Sequence, residues 1–494
     1  MSVLVPRSSL SISDTTVMRA WLRNISFGSL ALVVAVLIAA TFFQKFNGTS
    51  FVLDYIYHSF WFVALWAVAA STGVLYILMS RMPRLGAAFV LHIAFVVVLA
   101  GAFVTYMTAE RGALCISVNA PPASMYETGD GGLKKLPFRI YLDDFTVESL
   151  PDGSPVGYVA QLRLQSRDGN VSSSSLSMND PVEHKGYRLY ISGYEAGVTG
   201  DVVTLLVAYD SWGTAVTYAG YLLLLVGALY LFFDKKGGFR NTVASLRESL
   251  ATTNSGRATP FMRKGGLLIA LALFLTITYK GVCRWVDTGY FPASNGFETL
   301  LLLAWCALLA GMLLHRHFPP ALPYSLLLAV VSVVAVLVSG GSSSTVMPVL
   351  RTPLLGIHVA QVIMAYMLLA SMAVNAVVAL WYKFRCSNSV KMEQLALVGH
   401  VLLYPAVMLL VTGIFTGAVW ANLSWGRYWG WDPKEVWALV TMLVAAVAFH
   451  RRSLPFISKP LAFHIFCLVA FVAMLFTYFG VNYLLGGLHS YIDA

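Results

Sequence analysis

Five of the chain's twelve tryptophans, Trp420, Trp425, Trp429, Trp431 and Trp437, fall within residues 420–437, where an even spread would put fewer than one. Indole rings are broad and flat with one polar N–H, so a group of them suits a large planar apolar ligand. Gly426 and Gly430 lie among them, and a residue without a side chain lets such a ligand approach the backbone. An interfacial tryptophan belt accounts for single members of the group but poorly for its density. Asp432-Pro433-Lys434-Glu435 has the order of an N-cap, a proline at the first helical position and a glutamate that closes a capping box. That order favours a structural role for Asp432 over direct chemistry. It starts a helix at a fixed angle and so holds the aromatic segment in place.

Histidines supply the remaining candidates. His92 and His450 lie in or beside apolar runs, but His400 and His464 are also expected near the inner face, and His58 near the outer. A lone histidine in a membrane is more often an interhelical hydrogen-bonder than a ligand, although ionisable groups at that depth invite a functional reading. Spacing alone does not separate these histidines. His315 and His317 fall in a short loop and are expected to be solvated, and His184 is expected at a surface. The five cysteines are odd in number, far apart and without a Cys-x-x-Cys pair, giving neither a disulfide framework nor a zinc site. With no Ser-His-Asp set and no P-loop either, the pattern suits a site that works by holding reactants together, and no catalytic residue is assigned.

The elements that must position these residues are membrane helices. Of 494 residues 58% are hydrophobic and 11% charged, and the mean hydropathy is +0.72. Soluble domains are nearer about 25% charged, so a cytosolic enzyme and a disordered chain are excluded. The net charge of +10 does not indicate nucleic acid, because the basic residues flank apolar runs. A spanning helix needs roughly 20 mostly apolar residues. Spans are expected near 25–44, 54–79, 86–108, 213–233, 265–282, 297–314, 322–340, 357–382, 399–420, 436–450 and 461–484. The predicted class is therefore an all-α polytopic membrane protein of about 11 transmembrane helices with a small external β domain. The first span is expected to be a membrane helix and not a cleaved signal peptide, since its apolar stretch is long, Gln44-Lys45 follows it in place of a small-residue cleavage site and two more spans come straight after.

Lysine and arginine set the orientation. With the N-terminus inside, cytoplasmic segments hold 19 of them and the short external loops 6, and an odd number of spans puts the C-terminus outside. The predicted organisation begins with three membrane helices over residues 1–108 and an external β domain over 109–212. A fourth helix 213–233, a cytoplasmic linker 234–264 and a second membrane half 265–494 follow. The β domain is read from turn signals at Pro151-Asp152-Gly153 and Arg167-Asp168-Gly169-Asn170 and from alternating runs such as Tyr187–Ile191.

Trp425-Gly426-Arg427-Tyr428-Trp429-Gly430-Trp431-Asp432 resembles W-G-x-x-W-x-W-D, the signature of the haem-handling WWD superfamily. Pro292–Leu300, with Asn295 and Glu298, and the closing Gly480–Tyr491 are similar to one branch, the system II cytochrome c synthases in which a CcsB (ResB) half is fused to a CcsA (ResC) half. The likeness is strong over 265–494. Over 1–233 it rests on architecture and the context of His92, and the external domain is much shorter than in the larger fused members. The resemblance implies haem b as bound substrate, with His358 and His489 as an external pair of iron ligands and His92 and His450 as a membrane pair. His92 lies eight residues past Arg84, roughly 12 Å along its helix, toward the cytoplasmic side. It further implies that Trp425, Gly426, Trp429, Trp431, Asp432 and Arg427 bind the cofactor. Haem propionates would need cations outside, and Arg427, Arg351, Arg284, Lys280 and Lys45 are the candidates, although external cations also simply anchor helix ends.

The partners implied are an apocytochrome c presenting Cys-x-x-Cys-His, a thioredoxin-like thiol reductant and the lipid bilayer of a bacterial inner (cytoplasmic) membrane, with no nucleic acid. Haem would enter from the cytoplasm, move to the tryptophan-rich surface and be attached through thioether bonds. Two alternatives remain open: a haem exporter or carrier without synthase activity, and a multi-span transporter with an aromatic gate and no haem.

Overall fold

A computed structural model describes residues 12–80, 86–149, 155–195, 201–252, 260–293, 295–316, 318, 320–338 and 352–487. Helix α1 (Ile12–Asn47) is followed by the short α2 (Thr49–Val52), a π-helical turn Leu53–Tyr57, α3 (Phe60–Met79) and α4 (Ala87–Thr108). After a β-sheet come α5 (Gly213–Phe233), α6 (Gly238–Thr252), α7 (Pro260–Thr288), α8 (Gly296–Leu314), α9 (Ala321–Val338), α10 (Pro353–Arg385) and α11 (Ser389–Trp425). Helices α12 (Pro433–Val447) and α13 (Pro460–Leu475) follow, the latter continuing as a π-helical stretch Phe476–Leu485. Among the described residues ten helical segments are long and apolar enough to cross a membrane, so the protein is polytopic. The remaining expected span, 436–450, falls on α12, which at 15 residues is shorter than those ten segments although it leads from the sheet end to His450 at the far end.

The sheet has eight strands: β1 (Glu110–Ser117), β2 (Ala123–Thr128), β3 (Leu133–Ser149), β4 (Pro155–Ser166), β5 (Val171–Ser177), β6 (Val182–His184), β7 (Tyr187–Glu195) and β8 (Val202–Tyr209). Their order is β5-β4-β3-β2-β1-β8-β7-β6, antiparallel throughout. Alternation sends Leu114, Ile116, Ile140, Leu162, Leu189 and Leu205 into one core. The sheet curls until its edges nearly meet, and Ser166 Oγ of β4 lies 3.0 Å from His184 Nε2 of β6. His184 is thus half-buried, with its ring against Phe138, and not the surface residue expected. The turn at Arg167–Asn170 forms, with Gly169 at φ 81, whereas Pro151-Asp152-Gly153 lies outside the described residues.

Helices α4 and α5 run to and from the sheet in close contact. Gly213, Gly220 and Gly227 recur every seven residues on the face of α5 that meets Thr105, Val98 and Leu91 of α4. A Cβ on Gly220 would lie 2.9 Å from the Val98 backbone nitrogen, the small-residue packing by which membrane helices approach without a hydrophobic drive. Segment 234–264, expected to be a linker, contains α6. Thr242, Val243, Leu246 and Leu250 form its covered face, Phe239 packs on Tyr404, and Gln394 Nε2 donates to Ser249 O at 3.0 Å, docking α6 on α11. Its abundance of serine, threonine and charge belongs to the other face, which masks the helical period in composition. Helix α12 is held by α1: Val33, Leu37 and Ala40 pack against Val436 and Val440, and Trp437 Nε1 donates to Thr41 Oγ1 at 3.1 Å.

Asn295 caps α8 by accepting from Glu298 N at 2.8 Å. The Glu298 carboxylate, 3% exposed, accepts from Arg284 Nε at 2.9 Å and ties α8 to α7. Arg284, a candidate partner for a ligand carboxylate, is therefore engaged within the fold.

Two outcomes follow for stability. Gly220→Leu should lower the melting temperature of the detergent-purified protein, since overpacking costs about 1–3 kcal/mol; an unchanged melting curve would refute the tight α4–α5 contact. Arg284→Met alone should destabilise by about 3–5 kcal/mol because it removes the cation paired with a buried carboxylate, while Arg284→Met with Glu298→Leu should recover most of that loss. A double variant no more stable than Arg284→Met would show that the pair is not what links the two helices.

Candidate functional site

Helix α11 ends at Trp425, and Gly426 closes it in the left-handed conformation (φ 69), its N–H donating to Asn422 O at 3.1 Å. A side chain there would be strained by the backbone and would also meet the ring of Tyr190 from β7, 2.8 Å from the Cβ position. The Tyr190 hydroxyl donates to Asn422 O at 3.0 Å, and Ser424 Oγ bonds Asn179 Oδ1 at 2.9 Å. The room at Gly426 thus receives the sheet instead of a planar ligand. At Gly430 the nearest atoms belong to the Arg427 guanidinium, 3.2 Å from the Cβ position.

Asp432 has the structural role its surroundings suggested. It caps α12 by accepting from Lys434 N at 3.1 Å, and Glu435 Oε2 reaches back to accept from Gly430 N (2.8 Å) and Asp432 N (3.3 Å). These bonds hold Trp431 in the left-handed region at φ 57, a conformation costly for a bulky residue.

The five tryptophans do not make one flat platform. Trp420 and Trp425 meet edge to face at 4.7 Å beside Leu354 and Leu355 of α10. Trp429 stands nearly perpendicular to Trp431 at 6.1 Å, and Tyr57 stacks on Trp431 at 4.2 Å and 11°. Trp437 lies in the α1–α12 core against Phe476. Trp420 and Trp437, at 2% and 7% exposure, serve packing. Tyr57 and its neighbour His58, together with Tyr190, are site components that the motif did not reveal. The dense aromatic run Tyr55–Trp61 was the available signal for the first two. The His58 imidazole is held below its usual pKa mainly by burial, with Asp54 opposing and the charge of Arg111 adding to the effect.

Three of the four expected iron-ligating histidines lie within the described residues. His92 Nδ1 donates to Ala88 O at 2.6 Å and His450 Nδ1 to Ala446 O at 3.0 Å, and their ring centroids are 5.9 Å apart. A carbonyl only accepts, so each Nδ1 carries the proton and each lone pair lies on Nε2. Phe27 of α1 lies against His450 at 5.3 Å. This pair stands at the end of the bundle far from the sheet. His358 is on α10 at the sheet end, one turn past Leu354 and Leu355. Its Nδ1 donates to Gly413 O at 2.7 Å, and its ring sits over Gly417, where a Cβ would come within 2.6 Å. His489 lies outside the described residues, which end at Gly487 beside the Asp432 carboxylate.

The rival histidines are used otherwise. His400 stacks on Phe463 at 3.7 Å, and His464 Nε2 donates to Met392 O at 3.1 Å. His315, expected to be solvated, is 8% exposed with Nδ1 bonded to Met312 O, because the turn ending α8 folds its ring back on the helix. His317 and Arg351 lie outside the described residues. Lys45 donates to Leu484 O, and Lys434 Nζ to Asn482 Oδ1 at 2.9 Å.

Comparison with known proteins gives two family matches. Residues 293–489 match the family described as Cytochrome C assembly protein, and residues 80–220 match the ResB-like family. The chain is 34% identical to Protein NrfI of Wolinella succinogenes over 46% of its own length, a match spanning only 26% of that protein. It is 32% identical to the cytochrome c biogenesis protein CcsA of Prochlorococcus marinus strain MIT 9301 (45% of this chain, 83% of that one). It is also 32% identical to CcsA of Chlamydomonas reinhardtii (49% and 71%). The chain therefore belongs to the CcsA family of cytochrome c biogenesis proteins, with a ResB-like half joined in front of it in the layout of a fused CcsB–CcsA protein of system II.

Proposed function

We propose that the protein carries haem b as cargo to the sheet side of the membrane and joins it covalently to apocytochrome c. The observation that carries this reading is the pair His92 and His450, 5.9 Å apart, each with its Nδ1–H tied to a helix carbonyl. Histidine is a common axial ligand of haem iron, and a ligating imidazole usually holds its other N–H in such a bond. His358 has the same arrangement beside the tryptophan-rich segment, and the family likeness pairs it with His489.

We take the sheet side as external from the lysine and arginine asymmetry, in a bacterial cytoplasmic membrane with the N-terminus inside and the C-terminus outside. On this reading haem enters at His92 and His450. It is then held outside by His358 and His489, next to Trp425, Trp429 and Trp431. The apocytochrome offers Cys-x-x-Cys-His. Its histidine takes over one axial position, and each thiol adds across a vinyl C=C, forming one C–S and one C–H bond without an oxidant or a leaving group. Such a step needs positioning more than a dedicated base. It also needs reduced thiols, which is the task of a thioredoxin-like reductant. The sheet, docked on α11 through Tyr190 and Asn179, is suited to receive the apocytochrome next to the site.

The wild type purified from haem-replete cells should show a Soret band. His358→Ala and His489→Ala should lower maturation of a co-expressed apocytochrome by roughly 10–100-fold or more, with partial rescue by free imidazole; normal maturation in both removes them from the site. Co-expression in cells lacking other maturation systems tests the attachment itself. A Soret band without covalent haem would leave a carrier, and a colourless preparation would leave a transporter of another kind.

A further inference from the structure

The face of the sheet turned toward the tryptophan-rich segment carries an arginine that the reading above leaves without a task. Arg111 of β1 lies opposite Ala208 of β8, and Ala208 lies opposite Arg188 of β7. Residues directly opposite in a sheet share a face, and side chains alternate between faces. Arg111, Arg188 and Tyr190 therefore share the face opposite the apolar core of Leu114, Leu189 and Leu205. Tyr190 fixes where that face points, through its bond to Asn422 O and its ring over Gly426. Arg427 follows Gly426 in the chain, with its guanidinium folded over Gly430.

The two arginines lie near enough to sense each other. Loss of surrounding water holds the Arg111 pKa below its usual value, and the charge of Arg427 adds to that, with Asp210, Tyr428 and Tyr190 opposing. Arg111 is exposed on the sheet and not part of a packed core. Among the described residues neither guanidinium has an ion-pair partner. The carboxylates around them are engaged elsewhere: Asp210 accepts from Thr105, Thr214 and the Gly213 N–H, Glu110 is held by Lys134 and Tyr126, and Glu183 by Arg188. Two neighbouring guanidinium charges repel each other, and an anion bound between them relieves that repulsion. Guanidinium groups grip carboxylates through paired, charge-assisted N–H bonds. His58 also senses Arg111, and its chain neighbour Tyr57 stacks on Trp431 of the tryptophan-rich segment.

We propose that Arg111 and Arg427 form a two-pronged clamp for the propionate carboxylates of the porphyrin, so that the sheet supplies one wall of the ligand site. This rests on the haem-handling reading and assigns to it a residue from the ResB-like half.

The test titrates the full chain in detergent with haem and with haem dimethyl ester, whose carboxylates are neutral, following the Soret band. The wild type should hold haem roughly tenfold or more tighter than the ester. Arg111→Ala and Arg427→Ala should each weaken haem about tenfold and leave the ester unchanged, and Arg111→Lys should recover some of the loss. Equal affinity of the wild type for both porphyrins overturns the clamp and leaves the haem reading standing, whereas a wild type that takes up neither overturns both. A variant that loses ester and haem alike would show the arginine to be holding the fold, and the clamp would be wrong.

Discussion

A helix carbonyl that accepts the Nδ1–H of a histidine decides where that ring's lone pair lies, and the functional reading depends on this one bond. At His92 and His450 the acceptor is four residues back on the same helix. At His358 it is Gly413 on the neighbouring helix, reached because Gly417 presents no side chain to the ring. Each bond fixes the orientation of an imidazole and places a proton on Nδ1. His464 also gives a ring N–H to a carbonyl, Met392 O, and His400 stacks on Phe463, so what sets His92 and His450 apart is that their two ring centroids lie 5.9 Å from each other.

Bringing those rings together is the work of distant regions of the chain. His92 sits on α4, which the heptad of glycines on α5 holds at contact distance. His450 follows α12, which is aimed by the Asp432 cap and flanked by α1. At the other end the sheet reaches α11 through Tyr190, and Tyr57 covers one face of Trp431. Residues ahead of the sheet thus form walls of a site whose signature lies more than 350 positions later in the sequence.

The membrane class, the sheet and the capping role of Asp432 were legible because each has a local period or order: long apolar runs, alternation, and Asp-Pro-Lys-Glu. The pairing of His92 with a particular second histidine was not, since no spacing rule relates residues on helices from opposite ends of a chain; the family likeness named His450, and the packing of α1, α4 and α12 brings it near His92. Helix α6 was hidden because an amphipathic segment rich in serine and charge has the composition of a linker. The glycines among the tryptophans suggested room for a ligand, but sequence cannot tell which partner fills a gap, and at Gly426 it is Tyr190. Arg284 was a plausible external cation until Glu298, buried fourteen residues on, proved to hold it.

The seam between α1 and α12, with Trp437 bonded to Thr41 across it, has a consequence for how such a protein is encoded. Were the chain divided into two polypeptides, that seam would become an intermolecular interface, re-formed at a rate and extent set by how much of each piece the membrane contains. One continuous backbone replaces that dependence with a fixed, high effective concentration. Completion of the site is then independent of the stoichiometry of its halves.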